Sequence, residues 1–468
     1  MVRRGTRRWW VLGLLCVAQF VDVLDINAVV VALPAVGRDL GFEGADLQWV
    51  VTAYVLLFGG FLLLSGRLAD LWGRRRMFVA GLVLFTLASL MCGLAWSPLA
   101  LVVFRAAQGL GAAFVAPAAL SIIAATFVGG RDRAFAMGIW TAVAAGGGAA
   151  GLVLGGLITD AVGWAWIFFV NVPIGAVGVA LAFVVLEPDH GVRTRRRLDV
   201  PGAASVTAGL ILLVYALTRA EHAGFGSTLT LGTLALALTL LAAFLLVEKR
   251  APDPLVPPRV FRERDLSGSA LAAFANTATT GAVGILAVIY LQEVLGYRAA
   301  VAGLLGLPFS LSVVAGSFLG SWLSGALGTR RTMALGLTGI GAATLVATGI
   351  SADDGVTYVV ANAILSGLAL GLSAVASTTR GTSAAGEGDR GLASGLLNSA
   401  AQVGTALGLA VFFTLAAART EALAGGGPTP ETLVEGYRWA FFGAAGLAFV
   451  GVVAVLVLVR DKAGRAAG

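Results

Sequence analysis

Two aspartates, Asp22 and Asp25, lie in an otherwise apolar run near the amino terminus, three residues apart. If this run is a helix, the spacing places both carboxyl groups on one face. A carboxylate in hydrocarbon costs at least about 2.5 to 3.5 kcal/mol, so acids at such positions commonly serve ion or proton relays. We therefore predict proton coupling at Asp25 and Asp22. The alternative for Asp22 is a position near the helix end, where solvent or a neighbouring helix satisfies it.

Arg105 is the one basic residue that falls inside a predicted apolar span. A buried guanidinium needs a partner, and the candidates are Asp25, Gln108 or a network of water molecules. Arg105 then either takes part in proton transfer or only tethers the first and fourth spans. The position 257 residues later in the chain is Asn362, which is polar but uncharged.

The sequence offers no other chemistry. Cys16 and Cys92 both lie in apolar runs, and His190 and His222 have no second metal ligand near them in the sequence. Neither a disulfide framework nor a metal site is expected. We predict no enzyme activity, no catalytic residue and no cofactor other than a proton gradient.

The composition excludes a soluble globular protein. Of the 468 residues, 58% are hydrophobic and 12% are charged, and the mean hydropathy is +0.91. These values predict an all-α polytopic membrane protein. The apolar runs number fourteen, and an even number places both termini on one side of the membrane.

The basic residues support this topology. Of the 32, 26 fall in segments that would be cytoplasmic, five fall on the other side, and Arg105 is intramembrane. Such an asymmetry is what the positive-inside rule requires, and it accounts for the net charge of +7 without a nucleic acid partner. Arginine greatly outnumbers lysine, which indicates a bacterial source. We expect a bacterial cytoplasmic membrane protein with both termini in the cytoplasm.

The stretch from Gly66 to Arg76 reads G-R-L-A-D-L-W-G-R-R-R and joins the second and third predicted spans, 47–66 and 76–96. It is either a basic cytoplasmic loop or a more specific device. We predict a cytoplasmic gate latch in which Asp70 lies near the start of the third helix beside Arg74. The predicted gate residues are Gly66, Asp70, Gly73, Arg74 and Arg75.

An internal repeat divides the chain. The run from Asp132 aligns with the run from Asp389 at an offset of 257 residues, with four further identities that include Gly147 with Gly404 and Gly151 with Gly408. Two six-helix halves explain the match only if spans seven and eight are an insertion. The predicted domains are a six-helix bundle (1–190), two inserted helices (191–250), a cytoplasmic linker (251–265) and a second six-helix bundle (266–468).

Four motifs resemble those of the major facilitator superfamily, in its fourteen-helix drug:proton antiporter branch. They are the Gly66 stretch, L-D-I-N-A-V-V-V-A-L-P from Leu24, L-V-V-F-R-A-A-Q-G-L-G-A-A from Leu101, and W-A-W-I-F-F-V-N-V-P-I-G from Trp164. The resemblance covers the whole chain. It implies two six-helix bundles that rock about a central site, driven by protons, with Asp25 as the matched acid and Arg105 in proton transfer.

The glycines of the fifth span resemble the antiporter signature of that family. This chain has Gly148 and Leu152 where the family pattern carries prolines. Small residues at this spacing also permit close helix packing. The candidate antiporter residues are Gly147, Gly151, Gly155 and Gly156. The predicted function is export of lipophilic drugs or secondary metabolites by proton antiport, and the alternative is a proton-coupled solute symporter of the same fold.

Spans ten to thirteen contain no acidic residue. A cavity there suits neutral, zwitterionic or weakly charged lipophilic substrates better than dications. Polar and aromatic side chains are the candidates for lining it: Asn27, Gln108, Trp140, Asn276, Tyr290, Phe309, Asn398 and Gln402. The expected partners are a small lipophilic substrate and the lipid bilayer, and the protein is expected to act as a monomer.

Overall fold

The computed structural model describes residues 4–42, 44–127, 130–188, 199–223, 227–251, 254, 263–384, 390–424 and 427–460. Within these ranges the regular structure is helical. The long helices are α1 (Arg4–Leu40), α2 (Trp49–Trp72), α3 (Arg74–Gly93), α4 (Pro98–Thr126), α5 (Gly130–Val162), α6 (Asn171–Val185), α7 (Val200–Ala223), α8 (Thr228–Arg250), α9 (Arg264–Ile289), α10 (Ala299–Leu327), α11 (Thr329–Ala347), α12 (Val356–Ala384), α13 (Arg390–Leu423) and α14 (Pro430–Leu458).

The helices have the length and composition of membrane spans. In the described part of the chain, 11 helical segments are long and apolar enough to cross a bilayer, and two shorter apolar segments lie at Asp46–Leu62 and Pro201–Leu217. About twenty apolar residues in a helix cover the hydrocarbon thickness. The all-α membrane architecture predicted from the sequence is confirmed.

The sixth span is built from two pieces. A short helix, Ala165–Phe169, precedes α6, which begins at Asn171. Pro173 lies in the first turn of α6, where the missing N–H of proline has no intrahelical partner to lose. The break therefore places Asn171 at the start of a helix in the middle of an apolar region.

The gate stretch is helical and does not form a link between the predicted spans 47–66 and 76–96, so those span boundaries were wrong here. α2 continues to Trp72, and only Gly73 separates it from α3. No residue before Gly73 breaks a helix, and Gly73 itself adopts a φ of 105°, which favours glycine. Asp70 thus lies in the last turn of α2 and not near the start of α3. Its side chain is outside the described residues, so the latch stays a prediction.

Two arginines of this stretch bind backbone carbonyls of neighbouring helices. The Nη1 of Arg74 donates to the carbonyl oxygen of Ser121 in α4 at 3.2 Å. The Nη2 of Arg75 donates to the carbonyl oxygen of Phe183 in α6 at 2.7 Å. Phe183 lies in the last turn of α6, where a cationic donor stabilises unsatisfied carbonyls and the negative end of the helix dipole. The basic residues therefore help to hold α3 against α4 and α6.

The chain divides into two compact units. The first comprises Met1–Glu43, Trp49–Thr207 and Arg298–Leu304, and the second comprises Gly44–Gln48, Ala208–Tyr297 and Leu305–Gly468. Most of α7 and all of α8 thus fall in the second unit. The division at 190, 250 and 265 drawn from the repeat stays a prediction.

Both units contain the same kind of glycine-mediated helix pair. In the first unit, a Cβ at Gly147 of α5 would lie 2.9 Å from the carbonyl oxygen of Phe20 in α1, and one at Gly151 would lie 2.5 Å from that of Leu24. The second unit repeats this packing between α13 and α9: Gly404 lies against Phe274 and Gly408 against Ala278. The sequence repeat is therefore a repeat of close helix packing.

We predict that Gly151→Ala destabilises the first unit, because the added Cβ would lie against backbone that cannot move aside. Overpacking of this kind costs about 1 to 3 kcal/mol. Gly146→Ala is the matched control, since Gly146 lies on the same helix with nothing within 4 Å of an added Cβ. Thermal unfolding of the purified variants should show a lower midpoint for Gly151→Ala only. Equal midpoints would contradict the packing role.

Candidate functional site

The centre of the first unit is the carboxylate of Asp25, which is fully buried. It accepts three hydrogen bonds: from Nη1 of Arg105 at 2.6 Å, from Nε2 of Gln108 at 3.0 Å and from Nδ2 of Asn171 at 2.7 Å. These three N–H donors come from α4 and α6 and satisfy both carboxylate oxygens of Asp25.

The Arg105 guanidinium is fully buried as well. Besides its ion pair with Asp25, it donates from Nε to the carbonyl oxygen of Val50 at 2.9 Å and from Nη1 to Oε1 of Gln108 at 2.6 Å. Its central carbon lies 4.4 Å from the ring centroid of Tyr54 and 5.7 Å from that of Phe168. These contacts replace much of the hydration that the cation loses on burial.

The polar network extends from this pair to two further helices. The Nε2 of Gln108 also donates to Oγ of Ser89 in α3 at 2.8 Å. The hydroxyl of Tyr54 in α2 donates to Oδ1 of Asp22. Since Tyr54 both lies under Arg105 and binds Asp22, it connects the second acid to the ion pair.

A glycine brings these helices together. Gly109 follows Gln108 in α4, and a Cβ there would collide with the carbonyl oxygen of Tyr54 in α2. Any larger residue would push α2 away from α4. Close approach at Gly109 therefore sets the distance between the Tyr54 ring and the Arg105 guanidinium.

The structure brings four of the sequence-predicted residues into this one network, namely Asp22, Asp25, Arg105 and Gln108. Gln108 was predicted to line a substrate cavity, but it is fully buried and its amide is used within the network. Asn27 is partly buried and donates to the carbonyl oxygen of Val23 at 2.8 Å. Both side-chain amides thus form hydrogen bonds within the protein.

The other cavity candidates differ in exposure. Trp140 and Asn276 are buried, and the Oδ1 of Asn276 has no hydrogen-bond partner in the described part of the chain. Tyr290 is buried, and its hydroxyl donates to the carbonyl oxygen of Ser351 at 2.7 Å. Phe309, Asn398 and Gln402 are at least partly exposed.

Sequence reasoning missed Tyr54, Ser89 and Asn171 as members of the network. The signal for Asn171 was present, since it is the amide inside the apolar run W-I-F-F-V-N-V-P. Polar residues inside spans commonly mark functional positions. Tyr54 and Ser89 gave no comparable signal, because both residue types are common in spans that only pack.

The second unit has neutral residues at the corresponding positions of its first helix. The glycine contacts pair α1 with α9 at an offset of 254 residues, since Phe20 matches Phe274 and Leu24 matches Ala278. At that offset Asp22 corresponds to Asn276 and Asp25 to Thr279. Neither acid has an acidic counterpart.

The same comparison corrects the counterpart of Arg105. Gly109 lies against the carbonyl oxygen of Tyr54, and Gly367 of α12 lies against that of Phe309. Counting four residues back from each glycine, Arg105 corresponds to Ala363 and not to Asn362. The offset between α4 and α12 is one residue longer than the sequence alignment assumed.

Comparison with known proteins places the chain among transporters. The sequence pattern of the Major Facilitator Superfamily matches residues 15–250 and 269–467. The chain is 38% identical to the puromycin resistance protein pur8 of Streptomyces alboniger, over 97% of this chain and 92% of that protein. It is 40% identical to the cephamycin export protein CmcT of Amycolatopsis lactamdurans, over 97% and 93%.

The fold is similar to that of a solved structure. A crystal structure of a bacterial homolog to the human lysosomal transporter Spinster, in an inward-facing and unoccupied conformation, aligns with a TM-score of 0.65 at 18% identity. The alignment covers 98% of this chain and 99% of that one. At this identity the match shows a shared fold.

We predict a strong energetic coupling between Asp25 and Arg105. Replacing one member, as in Arg105→Gln, leaves the other as a buried unpaired charge, which costs about 3 to 5 kcal/mol. The double variant Asp25→Asn/Arg105→Gln removes both charges and should regain part of that stability. Thermal unfolding of the two single variants and the double variant measures the coupling. Additive effects of the two substitutions would contradict a buried ion pair.

Proposed function

The chain belongs to the Major Facilitator Superfamily, and we propose that it exports lipophilic drugs or secondary metabolites in exchange for protons. Membership of this family makes it a transporter and not an enzyme. Export is supported by its relatives, whose names include puromycin resistance, cephamycin export and tetracenomycin C resistance and export. The similarity to the first two spans almost the whole length of both proteins.

The observation that carries proton coupling is the buried Asp25–Arg105 pair. A proton added to the network of such a pair changes the charge that balances the arginine, so the network has to rearrange. A protonation event at one residue thereby changes contacts on α1, α4 and α6 together. Local charge changes of this kind drive transitions between two conformations of a protein.

The distribution of charge supports the substrate class. The acids of the ion-pair network, Asp22 and Asp25, are buried in α1 of the first unit, and their counterparts in α9 are the neutral Asn276 and Thr279. Spans ten to thirteen also contain no acidic residue, which suits neutral, zwitterionic or weakly charged lipophilic compounds. Proton handling is then the task of the first unit.

We place the protein in the bacterial cytoplasmic membrane, as a monomer with both termini in the cytoplasm. The excess of arginine and lysine in one set of loops supports this orientation. Puromycin and cephamycin are the first compounds to test, because relatives are named for them.

We predict that Asp25→Asn abolishes proton-coupled export while ligand binding persists. The neutral amide cannot form the ion pair with Arg105, through which a proton bound in the network changes the contacts of α1, α4 and α6, but it keeps the size of the side chain and some of its hydrogen bonds. Everted vesicles with a luminal pH dye should report proton release when puromycin or cephamycin is added to the wild type and none for Asp25→Asn. Intrinsic tryptophan fluorescence at two pH values measures binding.

The matched control is Asp132→Asn. Asp132 pairs with Arg8 at an exposed site, where ion pairs contribute at most about 1 kcal/mol, so transport should continue. Full export by Asp25→Asn would refute the assigned role. Movement of protons and drug in the same direction would favour the symport alternative.

A further inference from the structure

A small cavity lies between α1, α3, α4 and α6 in the first unit. Its volume is about 20 Å³, enough for one water molecule. Most of its wall is apolar, from residues such as Leu82, Phe85 and Val115. The polar side chains that line it are Asp22 and Asn171, the two residues at the edge of the ion-pair network.

The polar wall of the cavity offers hydrogen-bond acceptors. Asn171 uses its Nδ2 on Asp25, while its Oδ1 is buried and has no hydrogen-bond partner in the described part of the chain. A buried amide oxygen is nearly always satisfied in native proteins. Asp22 adds carboxylate oxygens. A molecule that binds both residues must donate two hydrogen bonds, as water and the hydronium ion do.

The cavity extends towards one end of the bundle. From Asp22 it follows the preceding turns of α1, past Ala18 and Val17 to Leu14, and the later turns of α6 to Gly178. Both directions lead to the face that the arginine distribution makes cytoplasmic. Val17, which lines the cavity, is 48% exposed, so the cavity borders the surface of the unit.

The two acids have different partners, and this difference assigns different tasks. Asp25 is held by three N–H groups that cannot accept a proton. Asp22 is bound by the Tyr54 hydroxyl, which accepts as well as donates. Asp22 also borders the cavity. Of the two carboxylates, Asp22 is the one that can gain a proton without losing its partner.

We propose that this cavity is a proton-binding site, in which a water or hydronium ion held by Asp22 and Asn171 exchanges its proton with the Asp22 carboxylate. An O–H bond of the hydronium ion breaks as one forms on Asp22, and water is left behind. The Tyr54 hydroxyl then turns from donor to acceptor. Because the Tyr54 ring lies under Arg105, this reorientation of the hydroxyl affects the Asp25–Arg105 ion pair. The inference rests on the proposed proton coupling and assigns its carrier.

Asp22 is surrounded by groups from every neighbouring helix. The titratable or charged ones are Asp25 of α1, Tyr54 of α2 and Arg105 of α4. α6 contributes the neutral Asn171, and α5 meets α1 at this level with Gly147 and Gly151. The variants below therefore separate Asp22 from Asp25 and Tyr54.

Infrared difference spectroscopy tests the proposal on the full chain in lipid nanodiscs. A pH titration of the wild type should reveal the carbonyl stretching band of a protonated buried carboxylic acid. Asp22→Asn should lose this band, and Asp25→Asn should keep it. Asp132→Asn, at the exposed pair with Arg8, should leave it unchanged.

A second variant tests the hydroxyl. Tyr54→Phe keeps the ring under Arg105 but removes the hydrogen-bond partner of Asp22. The band should persist and move to higher wavenumber, because the carbonyl stretch of a carboxylic acid rises when its O–H group loses a hydrogen-bond acceptor. An unchanged band in this folded variant would overturn the link through Tyr54.

The carrier assignment is overturned if the band persists in Asp22→Asn and is lost in Asp25→Asn, or if no protonated carboxyl band appears across the titration. This measurement involves no drug, so its outcome is separate from that of the transport assay. If the wild type exports drug in exchange for protons but the band belongs to Asp25, only the assignment of the proton to Asp22 is refuted. A wild type with the band on Asp22 and no drug-linked proton movement would refute the proposed function.

Discussion

The burial of the Arg105–Asp25 pair is the constraint on which the first unit depends. Both side chains are excluded from solvent, and two such charges are tolerated only when hydrogen bonds from the protein replace most of their hydration. Val50, Gln108 and Asn171 supply those hydrogen bonds from three different helices. The ion pair thereby fixes α1, α2, α4 and α6 around one point, and the glycines of α4 and α5 let the helices come close enough to do so.

The two units share their helix packing and differ in their charge. The glycine contacts of α5 with α1 recur between α13 and α9, so the backbone arrangement is repeated. In the second unit the positions of Asp22, Asp25 and Tyr54 carry Asn276, Thr279 and Phe309. The duplicated scaffold therefore carries the two acids of the ion-pair network in its first half and neutral side chains at the matching positions of its second half, as the proposed division between proton handling and substrate requires.

Much of this arrangement can be predicted from the sequence, and the rest depends on contacts between helices that the sequence does not reveal. Hydropathy and arginine distribution predict the spans, and the cost of burying charge indicates Asp25, Arg105 and Gln108 as partners. Tyr54 is not predictable, because its role depends on which turn of α2 faces Arg105. The helical state of the Gly66 stretch was missed since charge was taken to end the helix, although only Gly73 does so. A one-residue difference in offset, which changes the counterpart of Arg105 to Ala363, emerges only from helix contacts.

The central claim is that acids of the first unit exchange protons when substrate binds. The most direct measurement is the pH change on adding puromycin or cephamycin to the purified wild type in weakly buffered solution. The account predicts release of protons on binding, and loss of that release when Asp22 and Asp25 are both replaced by asparagine. Binding without any proton release, or the same release from the doubly substituted protein, would contradict it.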